Sequence, residues 1–556
     1  MMEMKSWHRH YDYCVPTTIR YPQIPVHQLL NIPATYFPDK AAINFYGSEM
    51  NFWDLRSSVW RMANALANLG VQKGDRVGMN MPNTPQYVIA NYAAMCLGAI
   101  VVNLNPMYTT PEMKYFVETT GLTTLFTFDA VLPNIRQLCL EVDIPRVIVA
   151  KPSDFMKGVP RSTKQSLDLE PKWHHFSELL EGGTDKRPRV QVTPADPCMI
   201  QFTGGTTGVP KPALITNANL LSSTFMSSLW GTYTTDLRAI EKRCVVGVVP
   251  LFHVYGNICV MNWGLLNGAT LILIPRFQID EIVSILSNLP EITYFPAVPT
   301  MITALLNHPK VGELELGRKV GLLGSGGGPM PQELIEQVKD LGIFFSEGWG
   351  MSETTSNGVT TPLLGLKKVG SIGVPMPDVD IKIVDVEQGV EEVKRGEPGE
   401  LLIKAPIVMK GYYGNPEATA EQIKDGWIST GDIVVQDEDD YLFIVDRKKD
   451  LVIAGGFNIY PREIDEVLFK HPKVLDAVAV GIPDQYRGET LKCYVVLKPG
   501  ETASSEEIIA YCKENLVAYK VPKLVEFRDE IPRTAIGKVL RKMFREEEEA
   551  KLKAKA

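Results

Sequence analysis

The chain has 556 residues, of which 45% are hydrophobic and 22% are charged, and this composition excludes a disordered protein. At about 150 residues per domain, the length predicts roughly three or four folding units. The formal net charge of −8 is too small for this length to favour general binding to nucleic acid.

The N-terminus is polar and charged and lacks the apolar run of a secretory signal, so we expect the protein to remain in the cytoplasm. The eight cysteines are scattered without CxxC pairs, which predicts buried thiols in a reducing compartment. The adjacent His174 and His175 do not have the spacing of metal ligands and are expected on a solvated loop. We therefore predict no structural metal.

The first part of the chain alternates strand and helix patterns. A strand over 76–80, a helix over 84–97 that ends at Gly98, and a strand over 99–103 form a predicted βαβ unit. Further strands and helices are predicted near 110, 123–127, 131–140 and 146–150. This alternation predicts parallel sheets covered by helices. The polar residues 151–195 are expected to form a surface excursion.

Residues 245–275 contain no Asp, Glu, Lys or Arg and are long enough to cross a bilayer. Pro250, Gly256 and several asparagines interrupt this segment. We therefore predict a strand, loop, helix, turn and strand in a protein core instead of a membrane span.

The C-terminal part has a different pattern. Strands over 379–384 and 400–404 predict a small antiparallel or barrel-like unit at about 365–445. The predicted fold class is α/β, and the charged run 446–450 is interpreted as a linker to a last segment of about a hundred residues with its own strands and helices. The Glu- and Lys-rich end is expected to be a solvated helix end.

The segment 201–211 follows an apolar strand and has the composition of a phosphate-binding loop. Glycines let backbone N–H groups approach phosphate oxygens, threonine hydroxyls add donors, and Lys211 adds a positive charge. Pro210 and Pro212 on either side of the lysine exclude a Walker A loop, and an ordinary Gly-Thr turn is the alternative. The predicted phosphate-binding residues are Thr203, Gly204, Gly205, Thr206, Thr207, Gly208 and Lys211.

Further motifs follow in order: PLFH (250–253), SGGGP (325–329), EGWGMSE (347–353), STGD (429–432), DRKKD (446–450), GGFNIYPRE (455–463) and PRTAIGK (532–538). Together with the loop, they resemble the adenylate-forming superfamily of acyl-CoA synthetases, firefly luciferases and peptide-synthetase adenylation domains. The resemblance covers nearly the whole chain. Residues 203–208 and 105–109 are most similar to bacterial medium- and long-chain fatty acyl-CoA synthetases.

The resemblance implies a reaction in two steps. ATP activates a medium- or long-chain carboxylic acid as acyl-AMP with release of pyrophosphate, and the acyl group then passes to CoA. Mg²⁺ is the implied cofactor, and ATP and CoA are the co-substrates. The alternatives are an acyl-AMP ligase that loads a carrier protein, a luciferase-like oxidative branch, and a noncatalytic acyl- or nucleotide-binding relative. A homodimer and a transient peripheral contact with the inner membrane face are further expectations.

The resemblance also assigns the nucleotide site. Glu353 is expected to bind Mg²⁺, Ser352 to donate to the α-phosphate, and Trp349 to present an exposed ring to adenine. Asp432 is expected to accept hydrogen bonds from the ribose hydroxyls, assisted by Arg447. The other predicted nucleotide-binding residues are Gly326, Gly327, Gly328, Glu347, Gly348 and Gly350.

Lys538 is the predicted catalytic lysine of the first step, because a cation can bring the carboxylate and the α-phosphate together. The resemblance implies a large N-terminal domain (1–446), a hinge (447–449) that contains Lys449, and a smaller, mobile α+β lid (450–556). After a rotation of the lid, Gly455, Gly456 and Phe457 are expected to line a CoA tunnel.

His253 and Lys211 are further candidate catalytic residues. His253 is expected near the acyl carbonyl as a gate or polar neighbour, with a hydrogen-bonded core histidine as the alternative. Ala297, Val298 and Pro299 are expected to line the acyl pocket.

Two departures from the family pattern suggest a noncatalytic relative, whereas the retained site residues argue against one: Lys211, Glu353, Asp432, Arg447 and Lys538. Pro212 stands where the family usually has glycine, which removes one backbone donor beside Lys211. Asn217 and Ala218 stand where the family often has His-Arg.

Overall fold

The computed structural model describes residues 4–156, 167–203, 209–328, 330–454, 457–484, 488–534 and 539–555. These residues form two compact units. Unit 1 contains the described residues of Met1–Thr203, Lys211–Val379 and Lys404–Gly426, and unit 2 contains those of Gly204–Pro210, Asp380–Ile403 and Trp427–Ala556. The hinge at 447–449 and the mobile lid stay predictions.

The strands of the described residues are, in chain order, β1 (Ala41–Phe45), β2 (Ser48–Asn51), β3 (Arg76–Met79), β4 (Ile100–Asn103), β5 (Thr124–Phe128), β6 (Arg146–Ala150), β7 (Trp173–His175), β8 (Pro197–Phe202), β9 (Pro212–Thr216), β10 (Cys244–Gly247), β11 (Thr270–Leu273), β12 (Ile292–Ala297), β13 (Val320–Ser325), β14 (Phe344–Trp349), β15 (Val359–Thr360), β16 (Val374–Pro375), β17 (Asp380–Val384), β18 (Gly399–Lys404), β19 (Gly411–Tyr412), β20 (Ile423–Lys424), β21 (Trp427–Gln436), β22 (Leu442–Arg447), β23 (Val452–Ala454), β24 (Phe457–Ile459), β25 (Val474–Asp484), β26 (Gly488–Leu497) and β27 (Leu524–Phe527).

The α-helices in the same ranges are α1 (Asn31–Tyr36), α2 (Phe52–Asn68), α3 (Pro85–Cys96), α4 (Thr110–Thr120), α5 (Leu132–Glu141), α6 (Phe176–Gly182), α7 (Asn217–Trp230), α8 (Thr232–Asp236), α9 (Val254–Gly256), α10 (Trp263–Leu266), α11 (Ile279–Asn288), α12 (Pro299–Leu306), α13 (Leu316–Lys319), α14 (Gln332–Asp340), α15 (Pro416–Gln422), α16 (Pro461–Phe469), α17 (Ser505–Asn515) and α18 (Arg541–Lys555).

Unit 1 contains two mainly parallel sheets, which confirms the predicted fold class. In the described ranges, one sheet has nine strands in the order β16-β15-β14-β13-β12-β10-β11-β1-β2, and the other has eight in the order β19-β9-β8-β4-β3-β5-β6-β7. The strands β10 to β14 run parallel, as do β3 to β7 and the pair β4–β8. The carboxyl ends of neighbouring parallel strands therefore meet at the same edge of each sheet.

The predicted βαβ unit is β3, α3 and β4. Helix α3 begins after Thr84, whose hydroxyl accepts a hydrogen bond from the Tyr87 N–H, and Pro85 occupies the first helical turn. Gly98 follows the helix with φ of +69°, a conformation that favours glycine. All residues of α3 are buried, and its nonpolar residues from Tyr87 to Cys96 share one core cluster with side chains from both sheets, such as Val77 and Val245.

The segment 245–275 folds inside unit 1 as predicted. It contains β10, α9, a π-helical turn over Asn257–Asn262, α10 and β11. Among the described residues, no helix combines the length and the apolar character needed to span a bilayer.

The predicted solvated loop at His174 and His175 is wrong. Both residues lie on β7, which pairs in parallel with β6 at the edge of the eight-stranded sheet. Phe176 follows directly and is buried, with its ring 6.0 Å from that of Phe126. The buried Phe176 lies directly after the two histidines and holds this part of the chain at the sheet edge.

Unit 2 contains small, mainly antiparallel sheets. Strand β21 pairs antiparallel with β18 and β22, within the region where a barrel-like unit was predicted. A second sheet has the order β24-β23-β26-β25, with β27 parallel to β26.

The predicted helix at the end of the chain is confirmed as α18, and residues 549–551 are exposed as expected, but the helix also packs onto the second sheet of unit 2. Glu548 on α18 is only 9% exposed. Its Oε1 accepts hydrogen bonds from Lys492 Nζ at 2.8 Å and from the Tyr494 hydroxyl at 3.0 Å. A charged tract with the composition of a solvated segment therefore forms a helix that packs against the sheet through one of its faces.

Candidate active site

The carboxyl ends of the parallel strands in the nine-stranded sheet carry many of the predicted residues. Ala297 on β12, Ser325 on β13 and Glu347 on β14 lie in register. The residues that follow each strand therefore leave the sheet at the same edge. In open α/β sheets this edge is where ligands bind.

The predicted glycine motif comes directly after β13. The Gly326 N–H donates to the Ala297 carbonyl at 3.3 Å, and Gly327 has φ of +82°. A Cβ on Gly326 would lie 3.3 Å from the Tyr255 ring, so the backbone passes close to that ring. The Tyr255 hydroxyl donates to the Ala297 carbonyl at 3.2 Å. Gly328 lies at the same edge, opposite Pro299.

Glu347 is a buried structural link as well as a predicted nucleotide residue. Its Oε1 accepts from the Met330 N–H at 3.2 Å, just beyond the glycine motif. Its own N–H donates to Thr361 Oγ1 at 2.8 Å, and its carbonyl accepts from the Thr361 N–H at 2.9 Å. Glu347 therefore holds the loop after β13 against the strand next to it.

The expectation of an exposed Trp349 ring is wrong. The side chain is only 8% exposed, and Trp349 pairs with Val359 on β15. The glycines beside it serve close packing: a Cβ on Gly350 would lie 1.8 Å from the Ser356 carbonyl oxygen. Gly348 likewise lies on the paired strand, opposite Thr360. Stacking of Trp349 on adenine stays a prediction.

Glu353 is the centre of a buried polar contact in unit 1. It lies with Ser352 on a short 3₁₀ turn after β14, and both side chains are buried. Glu353 Oε1 accepts a hydrogen bond from the Tyr412 hydroxyl at 3.0 Å. Burial, reinforced by the nearby carboxylate, raises the pKa of Tyr412 well above its ordinary value, so the phenol stays a donor. The Lys211 ammonium lies 5.0 Å from the centre of the same Tyr412 ring.

Tyr412 is a site residue that the sequence analysis missed. It lies on β19, whose pairing with β9 places it opposite Ala213, two residues after Lys211. The run Gly411-Tyr412-Tyr413-Gly414 was the available signal, since aromatic residues between glycines often mark a close contact. Nothing in that run identifies Glu353 as the partner.

Lys211 lies at the base of a hairpin formed by β8 and β9. The Thr203 N–H donates to the Lys211 carbonyl at 2.9 Å, and the Lys211 N–H donates to Thr203 Oγ1 at 3.1 Å. This pair brackets the predicted phosphate loop. The loop residues Gly204, Gly205, Thr206, Thr207 and Gly208 lie outside the described residues.

His253 is half-buried and caps the short helix α9. Its Nδ1 accepts from the Tyr255 N–H at 3.2 Å, so a neutral ring carries its proton on Nε2. The ring is thus oriented by local backbone. This hydrogen bond involves Nδ1 alone. The predicted role of His253 near the acyl carbonyl stays a prediction.

The predicted acyl-pocket residues follow β12. The Ala297 and Val298 side chains are buried in a core cluster, and Pro299 is half-buried at the start of α12. Their role as pocket lining stays a prediction.

The remaining predicted residues belong to unit 2. Asp432 on β21 is buried, and its Oδ1 lies 3.2 Å from Arg447 Nε on the neighbouring β22. Lys449 presents its carbonyl to Arg545 Nη1 at 2.9 Å. Phe457 has its backbone on β24. Gly455, Gly456 and Lys538 lie outside the described residues.

The two departures from the family pattern have structural explanations. Pro212 is the first residue of β9, a position where strands tolerate proline. Asn217 is buried; its Oδ1 accepts from the Val26 N–H at 3.0 Å and its Nδ2 donates to the Asp196 carbonyl at 3.0 Å. The Ala218 N–H donates to the Pro194 carbonyl at 2.8 Å. Asn217 therefore ties the N-terminal segment to the start of β8.

Comparison with protein families and curated relatives agrees with the motifs. The model of the AMP-binding enzyme family matches residues 32–413, and that of the AMP-binding enzyme C-terminal domain matches residues 463–538. The long-chain-fatty-acid–CoA ligase of Bacillus subtilis (strain 168) is 37% identical, and the match covers 99% of each chain. The protein of the same name from Escherichia coli O157:H7 is 36% identical over 99% of this chain and all of that one.

Solved structures share the fold. ATP-bound MatB from Rhodopseudomonas palustris superposes with a TM-score of 0.82 at 26% identity, covering 94% of this chain and 99% of that chain. O-succinylbenzoate coenzyme A synthetase (MenE) from Bacillus subtilis, in complex with ATP and magnesium ion, has a TM-score of 0.77 at 28% identity with the same coverage. The chain therefore belongs to the AMP-binding enzyme family, the adenylate-forming proteins that its motifs resemble.

Proposed function

We propose that the protein is an AMP-forming fatty acyl-CoA synthetase for medium- or long-chain acids. The observation that carries this proposal is the nearly full-length similarity to proteins named long-chain-fatty-acid–CoA ligase. The arrangement of Lys211, Tyr412 and Glu353 at the base of the hairpin supports it, because it joins a cation and a carboxylate beside a predicted phosphate loop.

In the first step, an oxygen of the fatty acid carboxylate attacks the α-phosphorus of ATP, and the bond to pyrophosphate breaks. Both reactants are anionic, so positive charge at the reacting centre stabilises the transition state. We assign this role to Lys538, with Lys211 at the phosphates. Asp432 and Arg447 hold the ribose, and the residues after β13 and β14 surround the adenine.

The residues fit a magnesium ion bound mainly through phosphate. Mg²⁺ prefers oxygen ligands and is commonly held by one or two carboxylates together with substrate phosphates and water. Glu353 offers a buried carboxylate whose Oε1 is already oriented by Tyr412. When bound, the ion neutralises phosphate charge. Glu353 is the residue of this chain that would hold it.

In the second step, the CoA sulfur attacks the acyl carbonyl carbon and the bond to the AMP oxygen breaks, with loss of the thiol proton to solvent. We propose that residues 450–556 rotate as a lid about Lys449 between the steps. Gly455, Gly456 and Phe457 would then line the thiol path, with His253 beside the acyl carbonyl. Ala297, Val298 and Pro299 would face the acyl chain. Homodimer formation and transient membrane contact stay predictions.

A screen of CoA-dependent AMP release tests the proposal across acids from acetate to oleate, including benzoate-type acids. We expect the highest kcat/KM for a medium- or long-chain fatty acid. Acyl transfer only to a carrier-bound phosphopantetheine would instead identify a carrier-loading ligase, and no AMP release with any acid would identify a noncatalytic relative.

The variant Lys538→Ala separates the two steps in the same screen. We expect it to abolish ATP–pyrophosphate exchange nearly completely and to spare thioester formation from supplied acyl-AMP. Lys542→Ala, on the exposed side of α18, is the matched control. Equal loss of both steps would contradict the role given to Lys538.

A further inference from the structure

A chain of buried polar side chains in unit 1 connects the hairpin of Lys211 with the segment of His253. Tyr87 on α3 is its centre. Its hydroxyl lies 2.6 Å from Asn103 Oδ1 and 3.0 Å from the Leu251 carbonyl oxygen, in donor geometry to both. Tyr87 is fully buried, and burial raises the pKa of its phenol above the ordinary value.

Asn83, just before α3, holds the same segment from the side. Its Nδ2 donates to the carbonyls of Gly247 and Val249 at 2.8 and 3.0 Å. Its Oδ1 accepts from the Leu251 N–H at 2.7 Å. The side chain is only 1% exposed. The Asn83 side chain therefore forms hydrogen bonds with three backbone groups at the end of β10 and in the segment that follows it.

The other end of this chain of contacts reaches the hairpin. Asn103, at the end of β4, donates from Nδ2 to Gln201 Oε1 at 3.1 Å. Gln201 lies on β8, two residues before Thr203, and both side chains are buried. Buried polar groups that lose a partner are costly, so such a network resists rearrangement.

The segment held by Asn83 and Tyr87 ends at His253. The His253 N–H donates to the Pro250 carbonyl at 3.1 Å, and the ring is fixed by the Tyr255 N–H. A Cβ on Gly256 would lie 2.2 Å from the Pro250 carbonyl oxygen, so the turn packs tightly. The placement of residues 249–251 thus decides where the imidazole projects.

We infer that Tyr87 is a positioning residue for the synthetase reaction. It holds the His253 segment in a fixed place relative to the strand that leads into the phosphate loop, with Asn83 and Asn103 as its partners. This inference rests on the proposed function, because it needs His253 to border the reacting acyl group.

The test compares two tyrosines on the same helix. Tyr87→Phe removes only the hydroxyl, which contacts Asn103, Leu251 and the Asn257 side chain. Tyr92→Phe is the comparison variant, because Tyr92 is equally buried and its hydroxyl donates to Asn262 Oδ1 at 2.6 Å; Tyr92 reaches the His253 segment indirectly, through Asn262 and Asn257. We expect Tyr87→Phe to lower kcat/KM for the fatty acid about tenfold and to leave the KM for ATP unchanged. Tyr92→Phe should change kcat/KM by less than about twofold, while its Tm should shift by about as much as that of Tyr87→Phe.

A double-mutant cycle with His253→Ala asks whether Tyr87 acts through the histidine. We expect His253→Ala to lower kcat/KM and the added Tyr87→Phe to change it by less than about twofold further. Multiplicative effects would overturn the inference, as would equal effects of Tyr87→Phe and Tyr92→Phe or no effect of Tyr87→Phe.

The result for His253→Ala alone separates this inference from the proposed function. If the wild-type enzyme forms acyl-CoA and His253→Ala is as active as wild type, the function stands and the positioning inference falls. If the wild-type enzyme forms no acyl-CoA from any acid in the screen, the proposed function falls, and the inference falls with it.

Discussion

At the scale of single residues, the predicted site contains a contact between Glu353 and Tyr412 that no sequence motif predicts. The sequence predicts Glu353 from a linear motif, but Tyr412 comes from a strand nearly 60 positions later in the chain. The pair forms because β19 adds to the edge of β9, which is a long-range pairing. Trp349 illustrates the opposite error: flanking glycines predicted an exposed ring, whereas in the structure they permit close backbone packing. Local sequence identifies reactive residue types and leaves their burial undetermined.

Removal of the Tyr412 hydroxyl should weaken binding of magnesium-bound ATP. Tyr412→Phe removes the hydroxyl that donates to Glu353 Oε1 and so weakens the orientation of this carboxylate, and we therefore expect the KM for ATP to rise about fivefold to tenfold. Initial rates at varied ATP, at saturating fatty acid and CoA, measure this effect.

Tyr413→Phe is the control for this prediction, because Tyr413 contacts Pro212 through its backbone N–H. We expect its KM for ATP to match that of the wild type. An unchanged KM in Tyr412→Phe would show that the phenol does not orient Glu353.

At the scale of elements, the parallel strands, their helices and the last helix were predictable, but the packing of that last helix was not. The β3–α3–β4 unit follows from an apolar strand, a Thr-Pro helix start and a glycine end. Helix α18 has the composition of a solvated tract, because its buried carboxylate and basic side chains resemble surface charges in sequence. Its partners Lys492 and Tyr494 lie on β26, more than 50 positions earlier. Burial there is set by tertiary packing.

Lys492 should contribute strongly to the stability of unit 2. It is 7% exposed and bonds both Glu526 and Glu548, so Lys492→Met leaves a buried carboxylate with fewer partners. We expect a loss of about 2 to 4 kcal/mol in the free energy of unfolding. Lys551→Met removes a more exposed cation from the same Glu548 and should cost less than about 1 kcal/mol. Denaturant unfolding of both variants measures the difference, and equal losses would contradict the importance of burial.

The pH dependence of this effect has a defined sign. Burial opposes ionisation of Glu548, but hydrogen bonds from Lys492, Lys551 and Tyr494 outweigh it and lower its pKa to about 2. A depressed carboxylate pKa stabilises the folded state above the unfolded pKa, and this contribution is lost as the pH falls towards the folded pKa. The stability difference between wild type and Lys492→Met should therefore shrink from about pH 5 down to about pH 2. A constant difference over that range would argue against ionised Glu548 as the partner.

At the scale of the whole molecule, the predicted hinge is a densely bonded segment of unit 2. The Asp446 carboxylate accepts from the N–H groups of Arg447 and Arg462, the latter at the start of α16. Arg545 on α18 donates to the Lys449 and Asp450 carbonyls at 2.9 and 3.2 Å. The charged run 446–450 indicated a linker and the family resemblance placed the hinge at Lys449, but neither predicts these partners, because they come from later helices.

Loss of the Arg545 contacts should alter the balance of the two steps. If the lid turns about Lys449, the hydrogen bonds from Arg545 to the carbonyls of residues 449 and 450 favour the hinge conformation that the structure shows. We expect Arg545→Met to change the ratio of adenylation rate to thioester-formation rate by about threefold or more, as measured by pyrophosphate exchange and by transfer from supplied acyl-AMP.

Arg528→Met is the control for this prediction, since Arg528 anchors α18 through Glu547 and has no bond to the hinge backbone among its described contacts. We expect its ratio of step rates to equal that of the wild type. A parallel fall of both rates in Arg545→Met would indicate a purely structural contact.

Helix α3 has one more consequence, because none of its 12 residues faces water. A fragment that contained only one sheet of unit 1 would expose apolar residues of α3 to water and would be prone to aggregate. We therefore expect the two sheets to fold and unfold as one cooperative unit.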